Sequence, residues 1–276
     1  MVKYFILLNI LLIVTLSHCL SQIRDPESLL FVSSGPSFPI GNFASTNSKD
    51  ELAGFAKTGE EVVISYIYQL NQTFGLTAAL FGQRNGLNTQ RLKRQLSQQA
   101  FVYPSFSFAA GNVSVPPSSP PPNYVYYSNW MIRKHDWLSG SLLLGGAGMI
   151  PLKRESKWIF VIKGLAGIAY VSSPRIDGSS TTDTTNMHIG QSSKSAWGFS
   201  YMAYGGFNYK VDNKFSFLLG INYFGTAKIR FSGVASEVST FYHSGQYASM
   251  SKNVIPTTQK QNIQTIGLNL GVALQL

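Results

Sequence analysis

The chain has 276 residues, only 12% of them charged, with 25 glycines, 18 phenylalanines, 14 tyrosines and a formal charge of +10. Few charges with many glycines and aromatics suit β-structure better than a helical enzyme. No stretch beyond the N-terminus has the roughly 18 consecutive apolar residues of a membrane helix. The basic balance favours anionic partners, and nucleic acid is excluded from them because the chain carries no nucleic-acid motif and begins with an export signal.

Residues 1–21 read as that signal, cleaved from the mature chain. Lys3 gives the positive start, Phe5 to Leu16 the apolar core, and Cys19-Leu20-Ser21 the small-residue exit. Leu16-Ser17-His18-Cys19 resembles a lipobox with His18 in place of the usual small residue, so lipidation of Cys19 is the alternative. Cys19 is the only cysteine; its removal leaves no thiol for a disulfide or a metal.

From Gln22 onward the period of two predicts eight strands. The first covers about Leu29 to Ile40 and is bent by Pro36 and Pro39. The second, Glu61 to Leu70, turns Val62, Ile64, Tyr66 and Tyr68 outward and Glu61, Ser65 and Gln69 inward. Asn71-Gln72-Thr73 leads into the third, Phe74 to Gln83. The fourth is Trp137 to Ile150 and the fifth Trp158 to Val171, with Lys163 inward. The sixth and seventh lie within Ser195 to Phe231, two long alternating runs joined at Val211-Asp212-Asn213. Trp197, Phe199 and Tyr201 share one face of the first run. Phe215, Phe217, Leu219, Ile221, Tyr223, Ala227, Ile229 and Phe231 share one face of the second. Thr265 to Leu276 closes the chain with apolar residues alternating with Gly267, Asn269, Gly271 and Ala273.

Three connections are short, Asn71–Thr73, Pro151–Lys157 and Val211–Asn213. The other four, about 41–60, 84–136, 172–194 and 232–264, are long. Strict alternation of short and long connections is the habit of outer-membrane barrels, with short periplasmic turns and long external loops. The expected fold is therefore all-β, an eight-stranded antiparallel up-and-down transmembrane barrel spanning 22–276 with both termini periplasmic. In 84–136, a short basic helix fits 86–99. Phe101–Phe108 and Tyr124–Met131 form a potential hairpin around the prolines at 116–122; entry of that hairpin into the membrane gives the ten-stranded alternative.

Gly35-Pro36-Ser37-Phe38-Pro39-Ile40-Gly41-Asn42-Phe43-Ala44-Ser45, then Gly54-Phe55-Ala56-Lys57-Thr58-Gly59, Leu144-Gly145-Gly146-Ala147-Gly148 and the alternating C-terminal strand are the features that carry a resemblance. The chain resembles the small outer-membrane β-barrel proteins of Bacteroidetes-type bacteria, within the wider group of opacity-like and porin-like barrels. It departs from the common pattern in ending on Leu276 rather than an aromatic. The resemblance implies the outer membrane of a Gram-negative cell, outer-membrane lipid and lipopolysaccharide as neighbours, and periplasmic chaperones and the barrel-assembly machinery as partners during insertion.

No catalytic, cofactor or metal set emerges. His135, His188 and His243 all fall in expected loops, and His243-Ser244 would point to opposite sides of an extended segment. Two charge groups remain. Glu61, Lys163, Lys228 and Arg230 are expected in the lumen, either as an anion-preferring constriction or as a self-satisfied ion-pair network, since eight strands barely hold their own side chains. Arg84, Arg91, Lys93, Arg94, Arg133 and Lys134 are expected on an external loop facing lipopolysaccharide phosphates, an extracellular polyanion or a protein ligand. Asp183-Thr184-Thr185 resembles the short O-glycosylation site of these bacteria. The reading is a non-enzymatic outer-membrane barrel, structural or binding through its loops; a narrow porin-like channel comes second and an outer-membrane lipid-modifying enzyme third.

Overall fold

The computed structural model describes residues 28–47, 52–98, 101–102, 124–125, 128–153, 156–182, 185–244 and 247–276. The signal segment, with Cys19, and the Asp183-Thr184 part of the glycosylation motif lie outside them. In chain order the elements are β1 (Ser28–Pro39), α1 (Gly41–Ala44), β2 (Ala56–Gln69), β3 (Phe74–Leu87), α2 (Thr89–Gln98), β4 (Phe101–Val102), β5 (Tyr124–Val125) and β6 (Met131–Lys134). They continue with β7 (Trp137–Pro151), β8 (Trp158–Ser172), β9 (Ile176–Thr181), β10 (Thr185–Gln191), β11 (Ser195–Lys210), β12 (Phe215–Thr226), β13 (Ile229–Ser244), β14 (Tyr247–Gln261) and β15 (Gln264–Gln275).

Eight strands close into an antiparallel barrel in the order β1-β15-β12-β11-β8-β7-β3-β2. Closure is made where β1 zips onto β15, from Leu29 opposite Gln275 to Pro39 opposite Thr265. The expected bend is in that seam: the ladder passes from Ser34–Leu270 to Ser37–Gly267 without pairing Gly35 and Pro36. Pro36 has no N–H to give, and a Cβ on Gly35 would sit 1.8 Å from the Leu268 carbonyl oxygen, so the two backbones approach only because residue 35 has no side chain.

Alternation sorts the side chains as the sequence predicts for most of the wall. Leu80, Leu142, Ile168, Leu219, Ile221, Leu268 and Leu270 are exposed on the outer face at mid-height. Aromatics flank them at both levels. Near the short turns, Trp158 packs on Tyr209 at 4.8 Å, Phe160 on Phe207 at 5.2 Å and Phe215 on Phe217 at 5.4 Å between centroids. Near the long connections, Tyr170 meets Trp197 at 5.0 Å and Tyr201 meets Tyr223 at 6.0 Å. Short turns are tied by Asx bonds: Asn71 Oδ1 accepts from the N–H groups of Thr73 and Phe74, and Asp212 Oδ1 from those of Lys214 and Phe215.

Two expectations fail. The 84–136, 172–194 and 232–264 segments are not simply loops, because β6, β9, β10, β13 and β14 build a second, five-stranded sheet in the order β14-β13-β10-β9-β6. The basic helix is present as α2, and β4 pairs with β5 outside the barrel ladder, so the wall has eight strands and not ten. The seventh strand also ends earlier than expected, at Thr226. Ala227 and Lys228 are both exposed, and these two successive outward residues shift the parity: Ile229 and Phe231 turn in while Lys228 and Arg230 turn out.

Gly35→Val is expected to prevent β1–β15 closure, whereas Gly82→Val, where an added Cβ meets nothing within 4 Å, leaves it intact. The checking measurement is the electrophoretic shift between unheated and boiled protein: G35V should lose the compact band and G82V keep it.

Candidate functional site

Buried side chains pack the lumen in two clusters, one toward each end. At the long-connection mouth, Gly41 (φ +57) turns the chain inward after β1, and Phe55 holds a left-handed φ of +50 on the way into β2. Between them α1 drops Phe43 into the mouth, fully buried. Its ring meets Trp137 edge-on at 5.6 Å, Trp137 meets Phe231 at 6.1 Å, and Trp137 Nε1 donates to the Gly54 carbonyl at 2.9 Å. Phe81 stacks on Phe224 at 4.2 Å. Rings from four strands and one short helix therefore cork the barrel.

A polar layer shares this half of the lumen. Glu61 Oε1 accepts from Asn222 Nδ2 at 2.7 Å and Asn269 Nδ2 at 2.8 Å. Gln83 Oε1 accepts from the hydroxyls of Thr265 at 3.0 Å and Ser37 at 3.3 Å. Gly267 makes room for the carboxylate, since a Cβ there would lie 1.8 Å from Glu61 Oε1. Toward the short turns, Lys163 Nζ donates to Ser65 Oγ at 2.6 Å and lies 4.0 Å from the Phe31 ring centroid and 5.0 Å from that of Tyr204. Cation–π contact replaces the missing anion. Leu29, Ile67, Met149, Val161 and Leu218 pack the remainder.

Of the four expected lumen charges, two are inside, and neither of these forms an ion pair among the described residues. Glu61 and Lys163 point inward as predicted, but the ion-pair network does not form. On β2 the residues that mark their levels, Glu61 and Ser65, are four apart, roughly 13 Å along a strand. Two amides meet Glu61 Oε1, while its Oε2 is buried without a hydrogen-bond partner among the described residues, and a hydroxyl and two rings meet the cation. Lys228 and Arg230 lie outside the barrel ladder and are exposed, for the parity reason given above. Asn222, Asn269 and Gln83, which hold the layer together, were visible only as inward polar positions; nothing in their spacing marks them as Glu61's partners or neighbours.

The external basic group divides as well. Asn88 caps α2, its Oδ1 accepting from the Arg91 N–H at 3.2 Å. Leu92 and Leu96 dock the helix on Trp130, just before β6, and on Ile132, Met187 and Ile189 of the second sheet, leaving Arg91, Lys93 and Arg94 exposed on its other side. Arg133 is exposed on β6. Arg84 and Lys134 instead converge on Asp136, a partner the sequence did not single out, at 2.8 Å and 2.5 Å. Burial pushes the Asp136 carboxyl up, but the hydrogen bonds and positive charges of Lys134 and Arg84 outweigh it and hold the group below its ordinary value. His135 is exposed, His188 half-buried on β10, and His243 lies in β13. Among the described residues no group of three His, Cys, Asp or Glu is placed to hold a metal.

Fold and lumen together define a closed, corked eight-stranded barrel carrying a five-stranded sheet. No family model matches the chain, and no curated protein matches it in sequence. Among solved structures it is similar to neisserial surface protein A, with 9% identity, a TM-score of 0.39, and 91% of this chain and 97% of that one covered. Similarity to Ail, the attachment invasion locus protein of Yersinia pestis, has 11% identity, a TM-score of 0.34 and coverage of 91% and 97%. For the outer membrane protein OprG from Pseudomonas aeruginosa the values are 11%, 0.34, and 91% and 96%. The fold assignment itself rests on the closed ladder.

Lys163→Met is expected to be neutral or stabilising, since it removes an unpaired buried charge and keeps the volume, whereas Ser65→Ala strands the ammonium and costs roughly 1–3 kcal/mol. Urea unfolding in lipid vesicles separates the two. At Asp136, a carboxyl depressed on folding stabilises above its unfolded value, about 3.9, and that stabilisation is lost as pH falls through the folded value. Arg84 is largely exposed, so the contribution is under about 1 kcal/mol. Asp136→Asn should flatten this part of the acid dependence of the urea midpoint.

Proposed function

We propose that the chain is an integral outer-membrane barrel of a Gram-negative, Bacteroidetes-type envelope, with periplasmic termini and short turns, a non-conducting lumen, and a binding role carried outside by α2 and the second sheet. The membrane placement is supported by the outer face: an exposed aliphatic belt between two levels of aromatic rings is what a bilayer core and its two interfaces select. Water would not tolerate so much contiguous apolar surface on a monomer.

The corked mouth is the observation that carries the non-conducting reading. A channel needs a continuous polar path, and here Phe43, Trp137, Phe231, Phe81 and Phe224 cross it. With the interior occupied, the exposed cations are the groups placed to meet a partner outside the barrel. Arg91, Lys93 and Arg94 share a helix without an acidic residue, and Arg133 lies exposed on the strand beneath. Phosphate groups of lipopolysaccharide are the ligand chemistry this surface fits best.

Reconstituted protein is expected to show a heat-modifiable band, to resist carbonate extraction, and to give no ohmic current in planar bilayers; steady salt-scaled steps would overturn the closed lumen. Replacing Arg91, Lys93 and Arg94 together with Gln should weaken lipopolysaccharide binding by roughly 3 kcal/mol, on the order of 100-fold at low salt, at about 1 kcal/mol per cation near an anionic surface. Unchanged affinity in titration calorimetry would remove α2 from the binding role.

A further inference from the structure

On the outer face of β1, β2 and β3, residues opposite one another in the ladders form rows across the wall. The row nearer the short turns is bulky: Val32, Ile64 and Leu80. The next is Ser34, Val62 and Gly82, and the one beyond it, toward the long connections, is Pro36, Glu60 and Arg84. The wall drops on either side of Val62, where Ser34 is short and Gly82 has no side chain. A Cβ on Gly82 would meet nothing within 4 Å. The drop is a cavity of about 590 Å³, open to the outside, with Glu60 and Arg84 at its lip. That volume is within the range of small-molecule sites, and the exposed Ile64 and Leu80 continue the apolar surface below it.

The chemistry changes with height. Arg84 turns Nε and Nη2 to Asp136, leaving Nη1 to donate elsewhere. Two residues further along β3, a Cβ on Gly86 would lie 3.4 Å from Lys134 Nζ, 3.8 Å from Lys57 Cβ and 3.9 Å from Asp136 Oδ1. Lys134 gives one of its ammonium N–H groups to Asp136 and keeps the others. Lys57 is exposed and makes no salt bridge among the described residues. Arg84, Lys134 and Lys57 thus gather at one spot with a single aspartate among them. Glu60, opposite Arg84 in the ladder, is exposed and likewise makes no salt bridge among the described residues.

A ligand matching this order has an anion outermost, a hydrogen-bond donor at the lip and hydrocarbon in the slot. Glycerophospholipids fail at the lip, because their chains hang from ester oxygens, which only accept and which a carboxylate repels. The phosphorylated glucosamine anchor of lipopolysaccharide, lipid A, meets all three levels. It carries phosphate on the sugar, and part of its acyl chains hang from amide N–H groups.

We propose that this furrow is a lipid A site, with a phosphate on Arg84, Lys57 and Lys134, an amide N–H donating to Glu60, and the acyl chain of that amide lying over Gly82. The site rests on the membrane placement and the lipopolysaccharide reading proposed above, which put the long connections and this lip on the outer-leaflet side. It uses none of the α2 cations, and it names the part of lipopolysaccharide that the barrel wall holds.

The test is native mass spectrometry of the whole mature barrel released from phosphatidylcholine nanodiscs containing equal amounts of lipid A and cardiolipin. Cardiolipin carries phosphates and acyl chains but no amide N–H. One retained lipid A is expected, enriched about fivefold over cardiolipin, the effect of roughly one added hydrogen bond. Glu60→Ala should bring the two lipids to parity, and Arg84→Gln should weaken both by about fivefold, as for the loss of one cation at an anionic headgroup. Gly82→Leu and Ser34→Leu, each filling the furrow from the lipid side, should remove the adduct. Joint replacement of Arg91, Lys93 and Arg94 by Gln should leave it in place. Equal retention of both lipids by the unaltered barrel, an adduct kept in both furrow variants, or one lost with the α2 cations overturns the site. The heat-modifiable band of each sample reports insertion separately. A barrel that inserts without the adduct refutes the furrow alone, and one that never inserts refutes the membrane placement and the furrow with it.

Discussion

Everything in this molecule depends on the ladder between its first and last barrel strands. A strand has a row of N–H and C=O groups on each edge, and in a hydrocarbon environment each unpaired group costs several kcal/mol. Six strands of the wall find both neighbours through sequence-adjacent pairing. Only β1 and β15 need a partner from the far end of the chain, Leu29 meeting Gln275. The seam tolerates one flaw, at Gly35 and Pro36, and the flaw sits where it does least harm: proline has no donor to leave unpaired, and glycine lets the opposite carbonyl come close.

Closure at eight strands fixes what the interior can be. A barrel of this size has room for its own side chains and little else, so large groups must be matched to absences. Tyr204 fits because Gly206 and Gly220 bear no side chain, each hypothetical Cβ lying 2.2 Å from its hydroxyl oxygen. Glu61 fits against Gly267 in the same manner. The glycines that alternate through β11, β12 and β15 are in this sense the complement of the lumen's few large polar residues.

This complementarity marks the boundary of what the sequence discloses. A period of two is a local property, so strand number, facing and the inward placement of Glu61 and Lys163 are legible from residues two apart. Partnership is not local: Asn222 and Asn269 reach Glu61 across the closed circle, 161 and 208 residues away. Parity is also fragile. The slip at Ala227 and Lys228 leaves a run that still looks alternating while exchanging its faces, which is why Lys228 and Arg230 read as lumen residues. The second sheet escaped notice for a different reason. Strands such as β9, with Ser179, Ser180 and Thr181, have no apolar side to betray them, because their stability comes from a ladder and one small cluster around Trp130 and Met187.

Why the two lumen charges ignore each other follows from the same geometry. Bringing Lys163 beside Glu61 would require it to cross the apolar layer of Val63, Leu143 and Leu165, exchanging good packing for a pair whose desolvation cost rivals its attraction. Keeping them apart lets each be met by groups that cost little to bury: amides already tied into the ladder, a serine, and two ring faces. A charge layer arranged for conduction would leave its groups facing an open axis. Here they face side chains, while Arg91, Lys93 and Arg94 on α2 and Arg133 on β6 are exposed outside the cylinder. Ring packing across the mouth and charges that face side chains rather than an open axis separate the interior from the exposed basic surface of α2 and β6.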